Sequence, residues 1–293
     1  MKKITLFILA LTGNFVLLAQ DEDLLKLVDK DSSKREFVEN AFKSSRVING
    51  HSMEMIAKGN LDFRILHRFG VINNGAKNFF GLDEASMRMG FDYGISDNLT
   101  VGIGRSTLDK EFDGFIKLRA IRQSTGERSS PVSIVLVTGL TINTMPWTDP
   151  VRDNKFSSRV GYYHAVIIGR KFSEAFSLQL SPTMVHRNLV PLANDKNDAY
   201  ALGIGTRFKL SRRIAFVADY HQILSGLDRD IYENPLSIGI DIETGGHVFQ
   251  LHFSNAAGMN EKAFITNTTD KWGDVRFGFN LSRMFVLKKK KNN

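Results

Sequence analysis

Cysteine is absent from all 293 residues. That removes disulfides, thiolate metal sites, haem held through a Cys-x-x-Cys-His motif and lipid anchoring on an N-terminal cysteine. Beyond the first twenty residues there is also no apolar run approaching the roughly 20 residues that a membrane helix needs. If the chain crosses a membrane it therefore crosses as a closed β-barrel, the other architecture that satisfies every backbone N–H and C=O in lipid. The body of the chain lacks a charge bias as well. Of the formal net charge of +8, Lys2, Lys3 and the tail Lys288 to Lys291 carry six, which leaves +2 between them. The tail reads as a solvated basic end, with contact to anionic lipid as the sharper alternative, and nucleic acid is not an expected partner. With 42% hydrophobic and 24% charged residues, the chain suits one large folded unit.

What is present begins with Met1-Lys2-Lys3, an apolar stretch from Ile4 to Ala19 broken only by Thr12, Gly13 and Asn14, and the acidic exit Asp21-Glu22-Asp23. A basic head, a short apolar middle and a polar exit make residues 1–19 a secretory signal peptide cut after Ala19, although Leu17 stands where a small residue is usual. Residues 20–58 form a polar lead-in expected on the periplasmic side and partly helical. Leu24, Leu25, Leu27 and Val28 mark one short amphipathic helix and Glu36 to Phe42 a second. The lead-in either tucks into a barrel mouth or serves as a tether.

The stretch from Pro235 to Phe253 sets the pattern for the rest. Leu236, Ile238, Ile240 and Ile242 alternate with Ser237, Gly239 and Asp241; after Glu243-Thr244-Gly245-Gly246-His247, Phe249, Leu251 and Phe253 alternate with Gln250 and His252. Two runs with a side-chain period of two around a Gly-Gly turn predict a β-hairpin with one apolar face. Similar runs recur over 60–69, 86–94, 98–107, 113–122, 131–143, 158–170, 175–187, 199–210, 213–222, 235–243, 247–254 and 274–286. Twelve is an even number, so an up-and-down barrel over 59–287 returns the C-terminus to the side of the N-terminus, with 288–293 as a basic tail. Runs 131–143 and 158–170 are apolar on both faces, as in Ile134-Val135-Leu136-Val137, so their inner and outer faces stay undecided.

Connections between these runs alternate short and long, apart from the brief Leu108 to Phe112 link. Outer-membrane barrels sort their loops in this way, with short periplasmic turns and longer external loops. Tyr93, Phe172, Phe176 and Phe208 lie near the short turns and Phe69, Phe156 and Phe253 near the long loops, as interfacial girdles require. In a soluble sandwich the same rings would be core.

Three segments carry a likeness: Asn98-Leu99-Thr100-Val101-Gly102-Ile103-Gly104-Arg105-Ser106, Val185-His186-Arg187-Asn188-Leu189-Val190-Pro191, and Glu243 through Phe253. With them the chain, from about Phe42 to Phe285, resembles an uncharacterised family of outer-membrane β-barrels of Bacteroidetes-type bacteria. The resemblance implies an exported barrel and no established activity. Such barrels commonly end on an aromatic residue, whereas here Phe285 is followed by Val286, Leu287 and the lysines.

If the apolar faces meet lipid, the opposite faces line a lumen. The lining candidates are Arg64, Arg88, Asp92, Lys117, Arg119, Arg207, Asp219, His221, Asp241, Gln250, His252 and Arg276, with Asp62, Arg68, Gln179, Lys209 and Asn280 on the same faces. Twelve strands fall between the roughly eight that side chains can fill and the 16 to 18 of water-filled porins. The lumen is then a narrow polar pore, with a modest anion preference from eight Arg or Lys against four Asp, or it is closed by internal ion pairs. Gly102-Ile103-Gly104 and Gly203-Ile204-Gly205 lack the third glycine and the following helix of a dinucleotide loop, and read as lumen-facing glycines that let the wall curve. Asp219 and His221 have ligand-like spacing on a strand but no further ligands, so neither metal nor cofactor is expected. A barrel phospholipase would need Ser and His on the lipid-facing wall with a third orienting group, and His51-Ser52 would diverge in a strand. The acidic external loops default to solvated surface; Asp195 to Asp198 lacks the glycine and glutamate of a calcium loop. Trp147 and Trp272 are the external-loop candidates for recognition. The expected function is a non-enzymatic narrow pore or passive transporter for a small polar solute, surrounded by outer-membrane lipid. The alternative is a closed barrel that binds a periplasmic or surface protein through its loops or N-terminal segment.

Overall fold

The computed structural model describes residues 34–191 and 195–287. The signal peptide, the first expected helix and the lysine tail lie outside the described residues. The described residues divide into a small unit, contributed by 34–38 and 123–131, and a large one made of the rest. In the small unit β1 (Glu36–Phe37) pairs antiparallel with β6 (Ser124–Thr125). Val38 N donates to Gln123 O at 3.0 Å, and Arg35 Nε to Ser124 Oγ at 3.1 Å. This pairing takes the place of the second helix expected over Glu36 to Phe42: a strand partner satisfies the backbone groups that an isolated helical turn would leave open.

The large unit is a closed antiparallel barrel of twelve strands. In chain order these are β2 (Asn60–Val71), β3 (Ala85–Ser96), β4 (Leu99–Ser106), β5 (Phe112–Ile121), β7 (Ser133–Ile142), β8 (Val160–Lys171), β9 (Phe176–Arg187), β10 (Asp198–Lys209), β11 (Ile214–Ser225), β12 (Leu236–Thr244), β13 (His247–Ser254) and β14 (Arg276–Val286). Each strand pairs with its neighbour in sequence, and β14 closes on β2 with Phe285 opposite Leu61 and Val286 opposite Asn60. Closure removes every edge, which is what a lipid environment demands. No helix among the described residues is long and apolar enough to cross a membrane.

The Pro235 to Phe253 hairpin forms in the expected register, with Ile240 opposite Leu251 and Asp241 opposite Gln250. Gly245 and Gly246 both adopt positive φ, the reason a Gly-Gly pair serves this turn. Short links follow β3, β8, β10 and β12, and longer ones follow β2, β7, β9, β11 and β13. Apolar side chains such as Phe91, Ile103, Ile116, Leu180, Ile240 and Leu251 face outward. Rings gather at the rims: Phe176 stands 5.6 Å from Phe172 and 4.6 Å from Phe208 at the short-turn end, and Phe277 stands 5.9 Å from Phe69 and 5.6 Å from Phe253 at the other.

Candidate functional site: the occupied lumen

Residues 41–56 lie inside the barrel, buried or half-buried throughout. Their centre is a small antiparallel finger: Arg46 bridges His51, Val47 N donates to Gly50 O at 2.9 Å, and Ser52 N to Ser45 O at 2.9 Å. A finger this short cannot pair its own outward backbone groups, so the wall must do so.

Opposite sides of the barrel share that task. On β11, Asp219 Oδ2 accepts from the amides of Asn49 at 2.8 Å, Gly50 at 2.9 Å and Ile48 at 3.4 Å. A carboxylate held by consecutive N–H groups is a backbone nest filled by the protein's own anion. On β9, Gln179 uses both ends of its amide, accepting from Met53 N at 2.9 Å and donating to His51 O at 2.8 Å. Gln250 Nε2 donates to Val47 O at 2.6 Å, Asn280 Nδ2 to Ile48 O at 3.1 Å, and Lys117 Nζ to Ser45 O at 3.1 Å and Glu54 O at 2.5 Å. Arg64 holds the hydroxyls of Ser44 and Ser45 at 2.8 and 2.9 Å, and Arg68 reaches both the Asn49 side chain and His252.

The finger also has an apolar side. Phe42, Val47 and Met53 are buried with Val135, Val137, Tyr163, Ala165 and Ile167 of β7 and β8. This resolves the two strands whose faces the sequence left undecided: their inner side chains are apolar because they meet the finger's apolar side, and each such burial contributes about 1.5–3 kcal/mol. The glycine pairs turn out to be recesses. Gly205 makes room for Val47, Gly102 for Phe115, Gly104 for Arg88 and Gly203 for His221.

Against residues 41–58 the tightest approach of a wall glycine is at Gly94, where an added Cβ would stand 2.2 Å from Ala57 O. Gly94→Ala is expected to push residues 56–57 off the wall and to cost about 1–3 kcal/mol. Gly114→Ala, whose new methyl would meet nothing nearer than 3.6 Å, is the matched control. Thermal unfolding of the detergent-solubilised protein checks this: equal Tm values for the two variants would remove Gly94 from the seat of the lead-in.

From the long-loop end the connection after β13 folds inward and carries a short helix, α1 (Glu261–Thr266), capped by the Asn260 side chain, which accepts from Ala263 N at 2.8 Å. Glu261 meets Arg46 Nη1 at 3.2 Å and His51 N at 3.2 Å, so the loop and the finger touch within the lumen. Phe264 packs 4.7 Å from the His221 ring. Lys262 and Asn260 both bind Glu111, at 2.7 and 2.8 Å.

Of the sequence candidates, Arg64, Arg88, Asp92, Lys117, Arg207, Asp219, His221, Asp241, Gln250 and His252 are buried. Asp219 and His221 stand 3.4 Å apart, with the carboxylate engaged on the finger. Arg119 and Arg276 are half-buried at opposite mouths: Arg119 Nη2 donates to Asp97 O at 2.6 Å and Arg276 pairs with Asp270. Trp147 lies half-buried under the Arg159 guanidinium, 3.8 Å from the ring centroid, beside a cavity of about 260 Å³. Trp272 is exposed in the connection after β13. In the connection after β11, burial and a 2.9 Å hydrogen bond to Asp195 push the Tyr232 phenol above its ordinary range. Sequence reading missed Arg46, Asp113 and Glu261. Asp113 alternates into the lumen face of β5 and faces Arg88, a signal that was available; Arg46 and Glu261 sit in aperiodic segments that carried none.

Over residues 42–285 the chain matches the family described as a membrane bound beta barrel domain, DUF5777. The chain belongs to that family. The lumen described above is thus that of a membrane-bound barrel, and its outward apolar face is the lipid face. Among solved structures, the chain is similar to one described as a NanC porin structure in rhombohedral crystal form, at 6% identity over 78% of this chain and 100% of that one, with a TM-score of 0.49. It is also similar to one described as KdgM porin, at 8% identity over 77% and 99%, with a TM-score of 0.48. A third is the translocator domain of autotransporter NalP from Neisseria meningitidis, at 12% identity over 79% and 89%, with a TM-score of 0.37. No curated protein matches this family member in sequence.

Proposed function

We propose that the protein is a non-enzymatic outer-membrane barrel, exported by its signal peptide, that passes a small polar solute only when the finger around Ser45 to Ser52 leaves its seat. The long-loop end then faces outside and the short-turn end the periplasm, as loop lengths favour. One observation carries the reading: the lumen is filled not by wall side chains alone but by a separate stretch of chain, one side of which is seated on charged wall residues. A permanent core would be expected to be apolar, because buried charges are weak contributors to stability. Moreover Arg46 Nε, Arg64 Nε, Arg88 Nη1 and Asp92 Oδ1 find no hydrogen-bond partner among the described residues, which leaves hydrogen-bonding capacity for water or solute.

The seated finger predicts that wild-type protein reconstituted in planar bilayers is nearly silent, with brief openings only. A steady conductance in every inserted barrel would sink the stopper reading. The second reading, a closed barrel that binds a partner through its loops, is favoured by the Glu261 contacts, which seal the finger from the long-loop side. Complete silence at all voltages, even after the finger is removed, would select it.

A further inference from the structure

The outward wall across β7 to β10 carries features that neither a lumen stopper nor a plain lipid face requires. At mid-strand, His164 Nδ1 and Thr138 Oγ1 lie 2.9 Å apart on neighbouring strands, both exposed on the lipid face. Polar side chains at hydrocarbon depth are costly on a lipid-facing surface and mark function by default. Nε2, the other ring nitrogen, has no protein partner among the described residues.

The wall is also interrupted there. Pro182 lies in the middle of β9, where it has no N–H to give the ladder. Its register with β10 runs on unbroken, but the pairs with β8 stop at Ala165 and Thr183 and resume at Ile168 and Leu180. Over this gap lies a concavity of about 610 Å³, lined by Leu136, Val166, Pro182 and Tyr200 together with Thr138 and His164.

We propose that this concavity binds an acyl chain bearing an oxygen function part-way along its length, held by a hydrogen bond from His164 Nε2. With the Thr138 hydroxyl donating to Nδ1, the ring proton sits on Nε2 and is given to that in-chain oxygen. The occupant comes from the bilayer because the groove opens on the lipid face of a membrane-bound barrel. The depth argues for the chain's middle: β8 has 12 residues and His164 is its fifth, so it stands near mid-height, on the order of ten carbons below a headgroup given a rise of about 3.3 Å per residue on a tilted strand. Hydrolysis is not part of the proposal, since His164 Nδ1 meets a hydroxyl and, among the described residues, no carboxylate orients the ring as a catalytic triad needs.

Full-length protein in detergent, titrated with 12-hydroxystearate and separately with stearate and read by native mass spectrometry, tests this. Wild type should bind one 12-hydroxystearate per barrel about tenfold more tightly than stearate, the worth of one well-placed hydrogen bond. His164→Leu and Thr138→Val should erase the preference while keeping the heat-modifiable mobility of a folded barrel. Equal affinity for the two acids in wild type would reduce the groove to ordinary annular lipid and overturn the proposal without recourse to any variant. A preference that survives in His164→Leu would overturn it equally.

Discussion

Replacing Ser44 to Met53 with a flexible Gly-Ser segment of the same length should convert a silent barrel into a conducting one. The twelve-stranded wall is wider than side chains alone can fill. In the intact protein the space is taken by the finger, whose backbone is bound by Asp219, Gln179, Gln250, Asn280 and Lys117. Without it those groups, with Arg64 and Arg68, face water, and single-channel current should rise by on the order of tenfold or more over the wild-type leak. Heat-modifiable migration must persist, since the barrel's closure through β14 and β2 does not use the finger. A folded but still silent variant would mean that the loop bearing Glu261 closes the barrel by itself, and the transport reading would fall.

Asp219→Asn should loosen the finger without removing it. The carboxylate accepts three amides, two of them below 3.0 Å, and a bond to a charged acceptor contributes about 1.5–3 kcal/mol. Part of that is offset by the cost of burying the charge, so a net weakening of about 3 kcal/mol is expected, equal to roughly two powers of ten in the open population. Hydrogen exchange of peptides covering residues 46–52 should quicken by that factor, while peptides from β3 and β4 are unchanged. Unaltered exchange at the finger would show that Asp219 does not hold it. Bilayer recordings of the same variant should show more frequent openings of the same size, because the channel walls are otherwise intact.

Sequence alone carried most of the wall and little of its contents. Alternation located all twelve strands, with ends displaced by no more than three residues, because one side of each strand must be apolar whether it meets lipid or core. Loop parity follows for the same reason, since a barrel that threads a membrane leaves its long connections on one side, but it fails around β5, where the link before the strand is short and the one after it, 122–132, is long. That the lead-in tucks into the barrel was one of two open readings; the shape and seat of the finger were illegible. Ser44-Ser45-Arg46-Val47-Ile48-Asn49-Gly50 has no period because it is neither strand nor helix, and its fit depends on wall residues far away in sequence. The polar inner faces leave a water-lined pore and a lumen closed by internal ion pairs equally open, because a lining that binds backbone amides and carbonyls uses the same residue types as either. Asp241, Gln250 and Asn280 illustrate this: they form a hydrogen-bonded row, with Gln250 2.6 Å from Asp241 and 2.7 Å from Asn280, and the row ends on the finger's carbonyls. His164 and Thr138 were passed over because each looked like one polar residue inside an apolar run, and only the pairing of β7 with β8 sets them side by side.

The span of the finger's contacts fixes when it can dock during assembly. Val47 meets Gln250 across 203 residues and Ile48 meets Asn280 across 232. Loop-closure entropy makes such pairings late events. The seat does not exist until β13 and β14 have joined the sheet and β14 has met β2, so a segment that precedes every barrel strand in the chain is the last to settle. A barrel stalled before that final strand pairing would lack the Gln250 and Asn280 side of the seat and hold its lumen without the finger docked.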